Sequence, residues 1–319
     1  METNNSRQAA WVAMGSLFSF GFSIVSSMIL SRYFDKADYG TYKQVMYVYN
    51  TLLTVFTLGL PKAYSYFLPR VNPQEAKDLI NKITRLFFLL GGVFSILLFL
   101  GASLIAQFLK NPDLEIALRY FSLVPFLMLP TMGLEGILST YKKTKFLAGY
   151  TITTRLFMLC CVALPVMIFN LDYIGAIIGF VIASIFSAFL ALYLKVYPVR
   201  NNIKNRTQTS YKEIFQFSLP LMYASLWGVL MSSADQFFIS RFFGLEVFAD
   251  FSNGSMELPF VGMIVGACST VLSPIFSRMS HEKVNLYEQS YPLWKSVYQK
   301  TALLIYPIVV YCWVFADVI

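Results

Sequence analysis

The chain has 319 residues, of which 57% are hydrophobic and only 13% are charged. A typical soluble domain carries about 25% charged residues, so this composition excludes an ordinary water-soluble globular protein. The mean hydropathy of +0.60 and the 30 phenylalanines and 20 tyrosines are typical of a protein that crosses a membrane several times. The formal net charge of +8 does not indicate a nucleic-acid partner, because the cations lie mainly in short connections between apolar segments.

Nine apolar segments follow one another, and the first eight each have at least the roughly 20 residues that an α-helix needs to cross a bilayer. The predicted spans are 9–30, 41–68, 84–109, 116–140, 148–169, 173–197, 214–243, 247–276 and one that starts near 302. The ninth has no polar flank before the last residue, so we expect the chain to be a fragment or a shortened product of a longer protein. The predicted fold is an all-α, polytopic bundle of transmembrane helices.

The basic residues of the connections predict the orientation, because cytoplasmic loops are enriched in Lys and Arg. If the N-terminus is cytoplasmic, the inward connections hold 16 of the 25 Lys and Arg residues and the outward connections hold 6. The first span is followed by Arg32 rather than by a small-residue cleavage site, so we expect no cleavable signal peptide. We therefore predict a multi-pass membrane protein with its N-terminus in the cytoplasm.

Metal chemistry and enzymatic chemistry have little support in the sequence. The four cysteines, Cys160, Cys161, Cys268 and Cys312, lie in apolar segments without CxxC spacing, and the single histidine is in a polar connection. We find no phosphate-binding glycine loop, ATPase motif or nucleophile–base pair. We therefore predict that the protein is not an enzyme and has no cofactor, and that any energy comes from a Na⁺ or H⁺ gradient or from consumption of the product.

Two parts of the chain resemble each other at a spacing of about 209 residues. The segment SRYF at 31–34 corresponds to SRFF at 240–243, and FLPR at 67–70 corresponds to IFSR at 275–278. An even number of spans separates them, which predicts a parallel repeat of two pseudo-symmetric six-helix lobes. Residues 1–200 would form the N-terminal lobe, and residues 201–319 would form about three helices of a truncated C-terminal lobe.

The segment SRYFDKADYGTY at 31–42, the LGLP that follows at 58–61 and the segment ADQFFISRFFG at 234–244 resemble bacterial polysaccharide-biosynthesis flippases, the O-antigen repeat-unit translocases. These belong to the multidrug/oligosaccharidyl-lipid/polysaccharide exporter superfamily. The resemblance implies translocation of an undecaprenyl-diphosphate-linked oligosaccharide across the bacterial inner membrane, without covalent chemistry. The sequence departs from the family pattern at Gln236, where a basic residue is common.

Cations inside the apolar spans are candidate substrate-binding residues, because a charge at the bilayer centre costs about 2.5–3.5 kcal/mol and normally faces the protein interior or a wet cavity. Lys62 and Arg155 lie in the inner halves of spans two and five and could bind the diphosphate of a lipid carrier. Arg155 could instead pair with Glu135, which lies at the same depth across a hairpin. Lys62 could instead reach the inner interface.

A second pair of cations, Arg32 and Lys43, flanks the first outward turn at matching depth. They could form a basic mouth through which a sugar diphosphate leaves. Alternatively, Asp35 and Asp38 in the same turn could neutralise them.

The acids of spans seven and eight are candidates for ion coupling. Asp235 and Glu257 are predicted at a similar depth in the outer half, where two carboxylates could hold Na⁺ or share a proton. Asp235 could instead bond a neighbouring hydroxyl or pair with a cation of the other lobe. Arg241 and Asp250 are predicted to pair with each other near the outer rim.

Three functions are compatible with these patterns. The first is a flippase that works by alternating access, the second is a cation-coupled drug or metabolite exporter of the same superfamily, and the third is a non-transporting membrane scaffold of a glycan-assembly complex. The expected partners are the lipid bilayer, a lipid-linked oligosaccharide and a polysaccharide polymerase complex, with no nucleic acid. A wide cationic cleft would favour the flippase, and a narrow cavity with acids and few cations would favour the drug exporter.

Overall fold

The computed structural model describes residues 2–202, 205–255, 260–281 and 286–314, and the regular structure in these ranges is helical. In chain order the helices are α1 (Glu2–Tyr33), α2 (Lys36–Thr57), α3 (Pro61–Phe67), α4 (Ala76–Phe108), α5 (Asp113–Phe121), α6 (Leu123–Met128), α7 (Leu134–Thr140), α8 (Thr144–Phe169), α9 (Tyr173–Val196), α10 (Tyr211–Phe242), α11 (Leu245–Gly254), α12 (Phe260–His281) and α13 (Leu286–Val314). Short 3₁₀ turns follow α3, α6 and α9. The predicted all-α fold is confirmed.

Among the described residues, six helical stretches are long and apolar enough to cross a membrane. They are Arg7–Tyr33, Ala76–Phe108, Asp113–Thr140, Thr144–Phe169, Tyr173–Val199 and Tyr211–Met231. The chain is therefore a multi-pass membrane protein. Following the orientation predicted from the loop charges, we call the end with the α1–α2 turn the outer end and the opposite end the inner end. We call residues up to 200 the first lobe and later residues the second lobe.

Polar side chains set the starts of three helices by capping free backbone N–H groups. The carboxylates of Asp35 and Asp172 accept hydrogen bonds from the third residues of α2 and α9. At the start of α10, Ser210 and Glu213 form a capping box, in which each side chain accepts from the backbone of the other residue. The caps of α2 and α9 follow short turns, and the cap of α10 follows a longer connection after Val199.

Two of the predicted spans are broken helices. Span 41–68 divides into α2 and α3 because Leu58 and Gly59 adopt left-handed backbone conformations (φ 47° and 68°), and Pro61 opens α3 without needing an N–H partner. Span 116–140 divides into α5, α6 and α7, with Gly133 at φ 75° before α7. Broken helices are tolerated in membranes where they line a cavity or are buried in protein. Here α2, Met128 and Met132 line the cavities described below.

Two other predicted spans have different limits in the structure. Span 247–276 contains the end of one helix and most of another, since α11 ends at Gly254 and α12 begins at Phe260. The ninth span begins at Leu286 rather than near 302, because the more polar stretch before 302 continues the same helix α13.

The helix bounds agree with the proposed repeat. Helices α1 and α10 each contain 32 residues, and both are followed by short turns that lead into α2 and α11. The two hairpins therefore match in the length of their first arm and of their turn. Their second arms differ, since α2 has 22 residues and α11 has 10, and the repeat stays a prediction. In both, the Ser-Arg-aromatic segment lies at the end of the first arm, near the outer end.

The core of the first lobe is an aromatic stack that joins several helices. The ring of Phe94 on α4 lies 4.3 Å from Phe56 and 6.0 Å from Tyr49, both on α2. Tyr49 and Phe180 both lie 5.2 Å from Phe121 on α5. Because each ring buries a large apolar area, this stack fixes α2 against α4, α5 and α9.

Small residues allow α9 to approach α8 closely. Gly179, Ala183, Ser187 and Ala191 recur every four residues on α9 and are all buried. A Cβ atom added at Gly179 would overlap the backbone carbonyl of Cys161 on α8. Close approach of this kind is how membrane helices pack without a hydrophobic driving force between them.

The outer contact between the lobes is a polar network centred on α2. Gln44 is fully buried, and its Nε2 donates to Oγ of Ser240 on α10 (2.8 Å). Its Oε1 accepts a hydrogen bond from Nδ2 of Asn111 (2.7 Å). Nearby, the hydroxyl of Tyr39 donates to Oδ1 of Asn253 on α11 (2.6 Å). We call this set the outer contact.

The ion pair at the outer contact differs from the predicted one. Oδ2 of Asp250 lies 3.1 Å from Nζ of Lys36 rather than beside Arg241, and both side chains of this pair are exposed. The physical reason is that α11 packs along the start of α2, which brings a cation of the other lobe nearer than Arg241, whose guanidinium lies against the Phe242 ring.

The inner contact joins α3 and the turn after it to α10 and α12. The ring of Tyr66 stacks on Phe217 at 4.0 Å, and the guanidinium of Arg70 lies 3.6 Å above Tyr66. Nε of Arg70 donates to Oγ of Ser277 (2.9 Å), which in turn donates to the backbone carbonyl of Tyr66 (2.7 Å). Arg70 lies in FLPR and Ser277 lies in IFSR, the two segments of the predicted repeat near the inner end. The two segments therefore contact each other here.

The close approach at Gly179 predicts a large effect for a single added methyl group. We expect Gly179→Ala to lower the thermal unfolding midpoint of the detergent-purified protein, because overpacking of this kind costs about 1–3 kcal/mol. The matched control is Gly149→Ala on α8, where an added Cβ meets nothing within 4 Å. Equal midpoints for the two variants would contradict the packing described here.

The outer contact predicts that its buried part matters more than its exposed part. We expect Gln44→Leu to lower the unfolding midpoint, because it removes the partner of Ser240 and one of the two acceptors of Asn111 Nδ2, the other being Thr41, at a cost of about 1–3 kcal/mol. Lys36→Ala removes only an exposed ion pair, which is worth about 0–1 kcal/mol, and serves as the control. Thermal unfolding of both variants tests this, and a larger loss for Lys36→Ala would refute it.

Candidate functional site

A cavity of about 570 Å³ lies between the lobes, bounded by α2 on one side and by α10 and α11 on the other. The α2 wall carries Lys43 and Asn50, and the α10 wall carries Asp235 and Gln236. The hydroxyl of Tyr47 crosses the gap and lies 3.4 Å from the backbone carbonyl of Ser233. We call this space the inter-lobe cavity; it lies between the outer contact and the inner contact along α2 and α3.

A second cavity of about 430 Å³ lies inside the first lobe, among α1, α2, α8 and α9. Arg155 of α8 and Lys43 of α2 are its charged lining residues in the described part of the chain. Serines of α1, including Ser26 and Ser27, and the α2 residue Asn50 add polar groups to the wall. We call this space the first-lobe cavity.

The two cavities share part of one wall. Lys43, Met46 and Asn50 line both of them, so Lys43 stands between Arg155 on one side and Asp235 on the other. Nζ of Lys43 has a long contact of 3.5 Å with Oγ of Ser27 and lies 5.1 Å from the Tyr39 ring. The two adjoining cavities have two cations and one carboxylate among their described lining residues.

The predicted pairing of Arg155 with Glu135 differs from the structure. Oε1 of Glu135 lies 3.8 Å from Nζ of Lys62 instead. The helix breaks explain this: α3 and α7 cross closely, and a Cβ added at Gly136 would lie 2.6 Å from Oγ of Ser65. Lys62 therefore has a carboxylate partner and lies outside both cavities, while Arg155 lines the first-lobe cavity.

Two predicted site residues lie away from the cavities, and one lies outside the described residues. Arg32 is exposed at the outer end of α1 and lines neither cavity. Arg241 has one terminal nitrogen that is buried without a hydrogen bond to the described residues. Glu257 lies outside the described residues, so the predicted carboxylate pair with Asp235 stays a prediction. Oδ1 of Asp235 accepts a hydrogen bond from the backbone N of Gln236 (2.7 Å).

Sequence reasoning missed the role of Lys195, which the loop-charge count treated as an inward connection residue. It is only 1% exposed, and its Nζ donates to the backbone carbonyl of Met132 (2.6 Å) and to the hydroxyl of Tyr64 (3.1 Å). Met132 lies at the helix break before α7, and it also lines the first-lobe cavity. The available signal was the position of Lys195 inside the last turn of an apolar helix.

Metal-binding chemistry has no support in the described part of the chain, where no group of three or more His, Cys, Asp or Glu side chains comes together. The free thiols of Cys160, Cys161 and Cys268 lie apart from the two cavities.

Solved structures of transporters share the fold. A MOP superfamily transporter from Pyrococcus furiosus superposes with a TM-score of 0.74 at 14% identity, covering 99% of this chain and 72% of that one. A mutant of a MATE transporter from Vibrio cholerae gives 0.72 at 16% identity, with coverage of 98% and 75%. The MATE multidrug transporter DinF-BH gives 0.73 at 16% identity, with coverage of 95% and 69%. At these identities the likeness concerns the fold alone.

Sequence comparison identifies the family. No curated protein sequence matches the chain. A family profile described as "Polysaccharide biosynthesis protein" matches residues 6–280, which is most of the chain's length. The chain therefore belongs to the polysaccharide biosynthesis protein family, and its fold is similar to that of MOP and MATE superfamily transporters.

Proposed function

We propose that the protein is a flippase that moves an undecaprenyl-diphosphate-linked oligosaccharide across the bacterial inner membrane by alternating access. The observation that carries the proposal is the pair of adjoining cavities, of which Lys43 lines both and Arg155 lines the first-lobe cavity. Membership of the polysaccharide biosynthesis protein family supports a glycan as the cargo. The activity involves no covalent chemistry.

The electrostatics of the cavities favour an anionic ligand. A cation at membrane depth costs about 2.5–3.5 kcal/mol unless water or a counter-charge offsets it. Arg155 is exposed to its cavity and Lys43 is partly buried. Neither Lys43 nor Arg155 forms an ion pair with another described residue. A diphosphate that enters the first-lobe cavity would supply the missing negative charge, with Arg155 able to bind two of its oxygens at once.

The size and polarity of the space suit the glycan. The cavities measure about 430 and 570 Å³, within the roughly 300–1,000 Å³ that ligand pockets span. Asn50 lies in both cavities, and Tyr47 and Gln236 face the inter-lobe cavity. These groups donate and accept hydrogen bonds, as sugar hydroxyls require.

The lobe contacts provide the gates that alternating access needs. The outer contact around Gln44 and the inner contact around Arg70 and Tyr66 lie on either side of the cavities. In a rocking mechanism of two lobes around a central site, one contact opens while the other stays closed. We propose the N-terminus in the cytoplasm, as the loop charges predict, and two lobes at residues 1–200 and 201–319.

Asp235 is the proposed coupling residue. It is the one carboxylate among the described lining residues of the two cavities, and Lys43 lies on the opposite wall. Binding of H⁺ or Na⁺ at Asp235 would change the charge facing Lys43 and therefore the affinity for an anion. No other cofactor is proposed, and a polysaccharide polymerase is the expected consumer of the product.

A cation-coupled drug exporter is the second candidate, because Asp235 faces the inter-lobe cavity and a MATE multidrug transporter shares the fold. Pocket polarity separates the two candidates, and for the Pyrococcus furiosus transporter a reversed pocket polarity was taken to suggest a different function. Here two cations and one acid line the joined cavities, which favours an anionic substrate over a cationic drug. A non-transporting scaffold would leave these charges without a role.

The flippase proposal predicts that the cavity cations are needed for transport. In a flippase-deficient strain, we expect Arg155→Ala and Lys43→Ala each to reduce polysaccharide export about tenfold or more, the factor that corresponds to one lost charge-assisted hydrogen bond. Arg32→Ala removes an exposed cation outside the cavities and should retain export. Full export by both cavity variants at normal membrane levels would refute this site.

The coupling proposal predicts a different behaviour for Asp235→Asn. In proteoliposomes that contain a polyprenyl-diphosphate-linked oligosaccharide, an imposed H⁺ or Na⁺ gradient should accelerate translocation by the unmodified protein but not by the variant. Asp250→Asn, which alters an exposed aspartate of the outer contact, is the control and should keep the acceleration. If the gradient accelerates the Asp235→Asn variant as much as the unmodified protein, Asp235 is not the coupling residue.

A further inference from the structure

A third cavity of about 320 Å³ lies between α4 and α9, near the inner end of the first lobe. Its lining includes Asn81, Thr84, Arg85 and Phe88 of α4 and Leu192 and Lys195 of α9. It shares no lining residue with the inter-lobe cavity or the first-lobe cavity. The proposed transport function therefore leaves it without a role.

The cavity wall is basic and polar. Asn81, Thr84 and Arg85 lie within about one turn of α4 and face the same space, and the lining contains no acid among the described residues. Arg85 is exposed and forms no ion pair with a described residue. Lys195 is buried at the other side, so an amine and a guanidinium line one cavity.

Lys195 has donor capacity to spare. An ammonium group has three N–H donors, and two of them are used by the carbonyl of Met132 and the hydroxyl of Tyr64. Nζ of Lys195 also lies 4.6 Å from the centre of the Tyr64 ring and 5.2 Å from that of Phe87, and the described residues supply no carboxylate to it. A ligand with negatively charged oxygens would satisfy both Lys195 and Arg85.

The surroundings of the cavity face lipid near the level of the headgroups. Leu89 and Tyr193, each next to a lining residue, are both 62% exposed. The rings of Tyr193 and Tyr197 lie 6.1 Å apart, and tyrosines of this kind are typical of the membrane–water interface. Arg85 lies about nine residues into α4, roughly 13 Å from its inner end, where a long side chain reaches the interface.

We propose that this cavity binds the phosphate of an anionic phospholipid from the inner leaflet. Basic pockets between transmembrane helices on the cytoplasmic side bind such headgroups. Arg85 and Lys195 would bind the phosphate oxygens, Thr84 and Asn81 would donate further hydrogen bonds, and the acyl chains would lie along Phe88. The ligand class is a phosphodiester lipid with a net negative charge, represented by phosphatidylglycerol.

The test measures lipid binding rather than transport, so its outcome is independent of the flippase proposal. Delipidated protein in detergent is titrated with phosphatidylglycerol, phosphatidylcholine or inorganic phosphate, and the bound species are counted by native mass spectrometry. We expect phosphatidylglycerol to bind in preference to the other two. We expect Arg85→Ala to weaken its binding about tenfold, as loss of one charge-assisted hydrogen bond would do.

Lys212→Ala is the matched control, because Lys212 is an exposed cation of the same membrane end outside this cavity and its removal changes the net charge equally. Thr84→Val is a second variant that keeps the charge and should also weaken binding. Equal phosphatidylglycerol affinity in Arg85→Ala and Lys212→Ala would overturn the proposal. Equal binding of phosphatidylcholine and phosphatidylglycerol, or binding of inorganic phosphate without phosphatidylglycerol, would overturn it as well.

Discussion

The cost of placing a charge inside a membrane governs the functional part of this protein. Lys43, Arg155 and Asp235 lie at membrane depth, where a charge is tolerated only beside water, a counter-ion or another polar group. The helices meet this constraint by enclosing two adjoining polar cavities instead of packing tightly at mid-depth. The same constraint acts on Lys195, which is buried but donates to two oxygen atoms. The placement of charges in cavities rather than in lipid thus connects the fold to the proposed transport of an anion.

The broken helices make this arrangement possible. Because α2 ends at Thr57 and α3 begins at Pro61, one segment contributes both to the outer contact and, at a different angle, to the inner contact. The break before α7 exposes the Met132 carbonyl, which Lys195 satisfies. Met132 also lines the first-lobe cavity, so Lys195 connects the proposed lipid site to the wall of the proposed substrate site.

Particular residues show how far sequence reasoning reached. Most of the predicted spans correspond to single helices because apolar length is a local property, but spans 41–68, 116–140 and 247–276 each contain more than one helix. The segments SRYF and SRFF end helices of equal length, α1 and α10. Arg155 and Lys43 were selected from their place in the chain alone, and both line a cavity. The predicted partners were wrong: Glu135 contacts Lys62 and Asp250 contacts Lys36, because equal depth in a hairpin does not specify which faces of two helices meet.

The sequence by itself determined that the chain is an all-α membrane protein, where most of its spans lie and which charges are costly to bury, since each of these depends on residues close together in the chain. Only the tertiary structure decided which charges share a cavity. The rotation and crossing of helices depend on long-range contacts, such as Gly179 against α8 and Gln44 against Ser240. The order of apolar and polar residues along the chain does not specify these contacts. For the same reason the sequence assigns Lys195 to a connection. It is the packing of α9 against α3 and the α6–α7 break that buries this side chain.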